Sequence, residues 1–538
     1  MTPRRNNCCV VHFSTVINWS VIVLTGIISL FCWGTLGAIP CARRDFSHGS
    51  VVCVCNASYC DTVDPLTSLT AGHYVVYQSS KAGARFAKTT GQFTKGKLEV
   101  NSASSVVLTI NRSKTYQTMN GFGGAFTDAA GINILNVSVK TRTNLMNSYF
   151  SPEGLEYSIG RIPMASCDFS THPYSYDDTP MDFSLSNFSL TKEDTKFKIP
   201  LIQQAQAMNH RKMKFFGSPW SAPSWMKTNK NMKGRGSLMG QPGGKYFKTW
   251  AQYFVRFIQE YQKQNITMWG ITAQNEPSDG EIIDFPFQAM GWTADLQRDF
   301  IKTDLGPALQ AAGFGSVKLM ILDDNRIWLP LWAKTVLSDQ VAAKYVSGIG
   351  VHWYLDTEWL VPASLLTDTH NLFPDKFILA TEACAGSMPW QTKVILGSWD
   401  RAESYSRDII EDISNWASGW TDWNLALNMQ GGPNWVKNFV DSPIIVNAER
   451  DEFYKQPMFY VMGHFSKFVP PDSVRIDLTS SDSKSLLAVA FTAPDKSTVL
   501  VTNNRQNQNV AVVVKDSAVG TLTVTLPPHS IQTFVWRT

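Results

Sequence analysis

The chain reads as an α/β protein: a (β/α)8 TIM barrel with an accessory β-sandwich built from N- and C-terminal segments and a small disulfide-containing N-terminal β element. Three observations predict this. From about residue 117 onward, apolar strand-like runs alternate with amphipathic helical stretches eight times over. Short alternating runs bracket that region at both ends, and four cysteines crowd between Cys41 and Cys60. The 538 residues are 44% hydrophobic and 17% charged, enough for one large domain and a smaller one, which excludes disorder and a polytopic membrane protein. The net charge of +4 comes without a basic run, which argues against nucleic acid and leaves room for a weak attraction to anionic lipid.

Taken in order, residues 1–37 open with Arg4 and Arg5, continue through an apolar stretch at 16–33 and end in small residues. That is the pattern of a secretory signal peptide, with a retained anchor as the competing reading. Residues 38–66 hold Cys41, Cys53, Cys55 and Cys60. An oxidising compartment would link these into a β element; the spacing leaves all three pairings open, and zinc is the alternative. Cys167 and Cys384 read as buried free thiols. Sequons at Asn56, Asn111, Asn136, Asn187 and Asn265 agree with passage through the secretory pathway.

Residues 67–116 and 472–538 carry alternating runs, for example 97–110, 485–492, 497–502, 509–514 and 520–526, separated by Gly, Asn, Asp and Pro. They predict one immunoglobulin-like β-sandwich assembled from both termini and packed on the barrel. The catalytic barrel occupies 117–471, with strands at 117–124, 155–165, 212–220, 267–277, 317–325, 346–354, 375–385 and 419–427. Helices are expected at 195–210, 245–265, 293–312, 329–345 and 400–417; in the second of these Trp250, Tyr253, Phe254, Phe257, Ile258 and Tyr261 recur at three- and four-residue steps. The run Gly121-Phe-Gly-Gly124 leads into Ala-Phe-Thr-Asp, a poor phosphate cradle, which disfavours an open nucleotide-binding sheet.

A barrel of this kind carries its chemistry at the carboxyl ends of its strands. Those ends here hold Asp168, Trp220, Asn275-Glu276-Pro277, Asp323-Asp324-Asn325, His352-Trp353-Tyr354, Glu382 and Trp420-Thr-Asp422-Trp423-Asn424. Two glutamates at strand ends suit glycoside hydrolysis, which needs one protonated carboxyl for the leaving oxygen and one ionised carboxylate for the sugar carbon. Glu276 is read as the general acid/base and Glu382 as the nucleophile. At short separation the charge on Glu382 would keep Glu276 protonated. Asn275 would bind the sugar hydroxyl next to the reacting carbon, His352 and Tyr354 would orient the nucleophile, and Trp220 and Trp423 would stack on the sugar face. Asp168 would accept bonds from sugar hydroxyls.

These residues resemble glycoside hydrolase family 30 over nearly all of the chain after the leader. The resemblance rests on VVCVCNASYCD at 51–61, GFGGAFTD at 121–128, RIPMASCDFS at 161–170, GWTDWNLALN at 419–428 and FVDSPII at 439–445. It implies a retaining double displacement on the β-glucosyl bond of glucosylceramide, giving glucose and ceramide at the lumenal face of the lysosomal membrane, with no cofactor and no metal. By motif position Glu276 matches the family's acid/base and Glu382 its nucleophile, while Asp168, Trp220, Asn275, Trp423 and Asn438 match residues lining the glucose pocket. It also implies pairing of Cys41 with Cys53 and Cys55 with Cys60. The implied partners are a saposin-type activator, an anionic lipid membrane surface and a lysosomal membrane sorting receptor. Gln274 departs from the pattern, standing where a close relative is acidic, and Ala289 stands where it has a cysteine. The insertion-like 357–360 falls on the rim, where it would alter access for the aglycone. The alternative is a family-30 enzyme for another glycolipid, a sterol glucoside or a glycan polymer such as glucan or xylan. A non-catalytic glycan-binding or chaperone-like lysosomal protein is more distant.

Overall fold

The computed structural model describes residues 37–66, 69–95, 105–356 and 361–538. The leader at 1–36 and the rim segment 357–360 lie outside the described residues, as does part of the strand expected at 97–110. Among the described residues no helix is long and apolar enough to cross a membrane.

Eight parallel strands close the barrel: β1 (Gly121–Ala125), β2 (Ile159–Met164), β3 (Lys214–Pro219), β4 (Met268–Thr272), β5 (Lys318–Asn325), β6 (Val346–His352), β7 (Phe377–Glu382) and β8 (Ala417–Asn424). Ile159, Phe216, Met320 and Leu379 come from four different strands and pack together, a cluster of the kind that fills such a barrel. The glycines of β1 are structural. A Cβ on Gly123 would lie 1.8 Å from the Ile159 carbonyl oxygen, so only glycine lets β1 and β2 approach this closely. Helix α1 (Lys245–Lys263) buries Trp250, Tyr253, Phe254, Phe257, Ile258 and Tyr261, the face its periodicity marks.

Some expected elements divide. The helix at 293–312 becomes Ala294–Phe300, a wide turn Ile301–Leu305 and Gly306–Ala311. Pro307 lacks the N–H that an uninterrupted helix needs, and the wide turn absorbs the break. The helix at 329–345 splits at Asp339, whose carboxylate caps Gln340–Tyr345 by accepting from Val341 and Ala342 N–H. The last barrel strand ends at Asn424 instead of residue 427, because Leu427–Asn428 leaves to pair with Ile444–Asn447.

That departure builds a second sheet of five strands, in which Val51–Asn56 pairs with Arg43–Asp45 on one side and Glu452–Lys455 on the other. The N-terminal β element is thus one half of a sheet completed by residues some 400 positions later. Disulfides join Cys41 to Cys53 and Cys55 to Cys60. Lys455 pins the same region by bonding Asp61.

A nine-stranded sheet is drawn from both ends of the chain: His73–Ser80, Ala87–Gln92 and Val106–Thr118 pair with six strands between Val474 and Trp536. A bridge between Thr94 and Thr521 brings its two edges together around a core that includes Leu108, Leu500, Val512, Phe534 and Trp536. This is the β-sandwich. It meets the barrel through α3 (Pro457–Ser466), buried along its whole length, which follows α2 (Trp399–Ser414) and bonds the sandwich through His464 to Ser79 and Thr533.

Candidate active site

The chain after β4 is stitched to both neighbouring strands. Asn275 N–H donates to the Pro219 carbonyl at 2.9 Å and Glu276 N–H to the Asp323 carbonyl at 2.8 Å. Glu276 is held at φ +40°, a left-handed conformation a glutamate rarely adopts. On β5 a register shift between Leu322 and Asp324 buries both Asp323 and Asp324. These irregularities aim carboxyl groups at the barrel mouth.

The centre of the site is Arg161 on β2, wholly buried. Its guanidinium bonds Glu382, the Asn275 Oδ1 at 2.7 Å, Asp323 Oδ2 at 2.9 Å and Ser218 Oγ at 3.2 Å. Asp323 also accepts from Thr272 and Thr381, both at 2.6 Å, and faces His352 Nε2 at 3.1 Å. The other ring nitrogen, Nδ1, lies 3.1 Å from Glu276 Oε1. Tyr354 donates its hydroxyl to Glu382 Oε1 at 2.6 Å.

The electrostatics follow from these contacts. Burial works to neutralise His352, but the charge of Glu382 and the bonds to Asp323 and Glu276 prevail and push it up to about 10. It is therefore an imidazolium at neutral and acid pH. Burial alone would raise Glu276; the bond and charge of His352 overcome it and leave this carboxyl lowered. Glu382 is raised by burial and by Glu276, against the pull of Arg161, His352 and Tyr354. His352 stands near both glutamates but turns its Nδ1 to Glu276, and this contact works against the proton that the charge of Glu382 was expected to keep there.

One oxygen of Glu276 and one of Glu382 lie within 4.8 Å of each other, with a His352 nitrogen in the same cluster. Arg161 and the imidazolium already supply the positive charge there, so the group is a poor fit for a resident metal. The pocket of about 220 Å³ above it is lined by Asp168, Trp220, Glu276, Asp279, Tyr354, Glu382, Trp423 and Asn438, with Phe285, Phe287 and Met388 at its margin.

The remaining expected residues lie close by, in altered company. Asp168 Oδ2 accepts from Asn434 and Asn438, both at 3.0 Å, and burial lifts it to about 7. Trp220 and Trp423 stack on each other, centroids 5.1 Å apart, beneath the Arg161 guanidinium. Asn275 spends its Oδ1 on Arg161. Gln274 is buried, donating to Trp220 and Asn275 carbonyls and accepting from Trp292. Cys167 and Cys384 are free and buried. Asn111, Asn136, Asn187 and Asn265 are exposed, and Asn56 partly so.

Sequence reasoning missed Arg161, Asp279 and Asn434. Arg161 had a signal: an arginine inside the otherwise apolar strand IGRIPM demands a buried anion. Asp279, in the turn after Pro277, and Asn434, far along the chain, had none.

The glycosyl hydrolase family 30 TIM-barrel domain matches residues 119–469, and the family's beta sandwich domain matches 472–534. The chain is 51% identical over 503 residues to lysosomal acid glucosylceramidase of Mus musculus, spanning 93% of this chain and 96% of that one. It is 45% identical over 505 residues to putative glucosylceramidase 4 of Caenorhabditis elegans, again 93% and 96% of the two chains. Among solved structures, SrfJ from Salmonella typhimurium superposes with a TM-score of 0.79 at 29% identity, covering 87% of this chain and 100% of that one. With both domain families matched in succession along one polypeptide, this chain belongs to glycosyl hydrolase family 30.

Proposed function

We propose that this protein hydrolyses the β-glucosidic bond of glucosylceramide to glucose and ceramide with retention of anomeric configuration. The carrying observation is the approach of Glu276 and Glu382 to within 4.8 Å in the wall of a pocket of about 220 Å³. Retaining enzymes hold their carboxyls roughly 5–5.5 Å apart, whereas inverting ones need about 6.5–9.5 Å to seat a water. In this reading Glu382, held by Arg161 and the Tyr354 hydroxyl, attacks the anomeric carbon while Glu276 protonates the departing oxygen. Glu276 then takes a proton from the water that releases glucose. In the same reading Asp168, which accepts from Asn434 and Asn438, receives sugar hydroxyls.

A lipid aglycone is supported by apolar residues left in solvent on the segments that follow β4 and β5, where Ile282, Ile283, Trp328 and Leu331 are 52%, 69%, 41% and 71% exposed. The 51% identity to a mouse enzyme named lysosomal acid glucosylceramidase supports the same substrate and a lysosomal location, which we extend to the lumenal face of the membrane by way of the secretory route. We extend the reading to a saposin-type activator, an anionic membrane surface and a sorting receptor as partners. Trapping with a 2-deoxy-2-fluoro glucoside followed by mass spectrometry tests the chemistry. A glucosyl adduct on the Glu382 peptide is expected; an adduct elsewhere, or inversion of the released sugar, overturns it. Turnover of glucosylceramide in anionic vesicles should exceed that of soluble β-glucans, and the reverse order would refute the lipid substrate.

A further inference from the structure

Asp279 stands three residues after Glu276, its backbone N–H donating to the Glu276 carbonyl at 3.0 Å, and shares the pocket wall with it. The carboxyl groups of the two residues are in hydrogen-bond contact. Ionised carboxylates only accept, so this contact requires a proton between them.

The surroundings say which residue carries it. Glu276 also faces the His352 imidazolium, which favours its ionised form. The charged groups that act most strongly on Asp279 are acids: Glu276 after β4, Asp324 on β5 and Glu382 on β7. Asp324 is committed elsewhere, accepting from Ser278 N–H at 3.1 Å, Ser278 Oγ at 2.7 Å and Asn325. Glu281 in the same turn is drawn toward Arg235, 3.8 Å away. Arg161 is engaged by Glu382 and Asp323.

We propose that Asp279 is a positioning residue that stores the proton Glu276 delivers to the leaving group, an inference that rests on the acid/base role proposed above. At rest the proton is on Asp279. As the glycosidic bond breaks, its electron pair stays with the leaving oxygen, which takes a proton from Glu276; Glu276 takes one from Asp279, whose O–H bond breaks to leave a carboxylate. In the second half-reaction the proton of the attacking water returns to Glu276 and thence to Asp279, so nothing is consumed. Burial and the charge on Glu276 both hold the Asp279 carboxyl well above its usual range, in keeping with this store.

The test is the pH profile of kcat/KM on an alkyl β-glucoside. With Asp279 gone the delivered proton has to be held by Glu276 itself, which the His352 contact keeps lowered, so Asp279→Asn should move the alkaline limb about one pH unit acidward, about a tenfold loss on that limb, with KM little changed. Asp279→Glu should restore the limb. Should the Asn variant fail to fold, Asp279→Ser is scored the same way. A variant profile that superimposes on the parent overturns the proposal. Glu276→Gln checks the underlying role separately: loss of alkyl glucoside hydrolysis with dinitrophenyl glucoside cleavage retained supports it, and equal retention on both rejects it. An acid-like Glu276→Gln with an unmoved Asp279→Asn limb rejects the proton store alone.

Discussion

Replacing Arg161 with methionine fills much the same volume and removes the one guanidinium that serves both Asp323 and Glu382. At 2.9 Å and an effective dielectric of about 20, the Arg161–Asp323 attraction is on the order of 6 kcal/mol before desolvation. Stripping one partner from a buried pair leaves a net loss of about 3–5 kcal/mol, because the stranded carboxylates stay out of water. With an unfolding entropy of about 2.1 cal/mol/K per residue over the barrel residues 119–469, that lowers Tm by ~4–7 °C. Activity changes too. Arg161 is the strongest downward pull on Glu382, so without it the carboxyl titrates higher still and the acid limb of the pH–rate profile moves toward alkaline pH. Adding Asp323→Asn should restore part of the stability but not the activity. Scanning calorimetry and kcat/KM against pH are the measurements; a Tm within 1 °C of the parent together with an unmoved acid limb would refute this electrostatic account.

Tyr354→Phe removes a bond to the Glu382 carboxylate worth about 1.5–3 kcal/mol, so kcat/KM should fall about ten- to a hundredfold and Tm by ~2–4 °C; a change in kcat/KM under about twofold counts against it. Gly123→Ala places a carbon 1.8 Å from the Ile159 carbonyl oxygen and should lower soluble yield or Tm sharply, whereas parental stability would contradict the packing. His464, buried between two hydroxyls, is lowered to about 3 by burial. Its folded state resists protonation, so its contribution is present above the unfolded value of about 6.5 and falls as pH drops, by about 2 kcal/mol at pH 5. His464→Gln should flatten the loss of Tm between neutral and acid pH, and an unchanged slope would exclude that histidine as the cause.

How far the residues alone reveal this site depends on the kind of signal each carries. Strand ends were visible because apolar runs stop at polar groups, as at Glu276, His352 and Glu382. Arg161 carried a local signal, a charge inside an apolar strand, but which anions it meets depends on which way the residue faces, and that needs the barrel's register. The direct hydrogen-bond partners of His352, Glu276 and Asp323, were not legible either: chain position sets the strand end, whereas the fold decides which carboxylates the ring meets. Helix interruptions near Pro307 and Asp339 were within reach of local rules, but amphipathic periodicity runs across both and masks them. The exit of Leu427–Asn428 from the barrel could not be seen locally, since its partner Ile444–Asn447 lies in another sheet.

The pairing of Gln78 with Gln532, 454 positions apart, sets a timetable for biogenesis. At about 5–20 residues per second, the strand at His73–Ser80 emerges from the ribosome roughly 20–90 s before its mate exists. Throughout that interval its edge is an unmated β-strand liable to self-association. Loss of only the final nine residues would make this exposure permanent, because Ser530–Trp536 is the element that closes the gap.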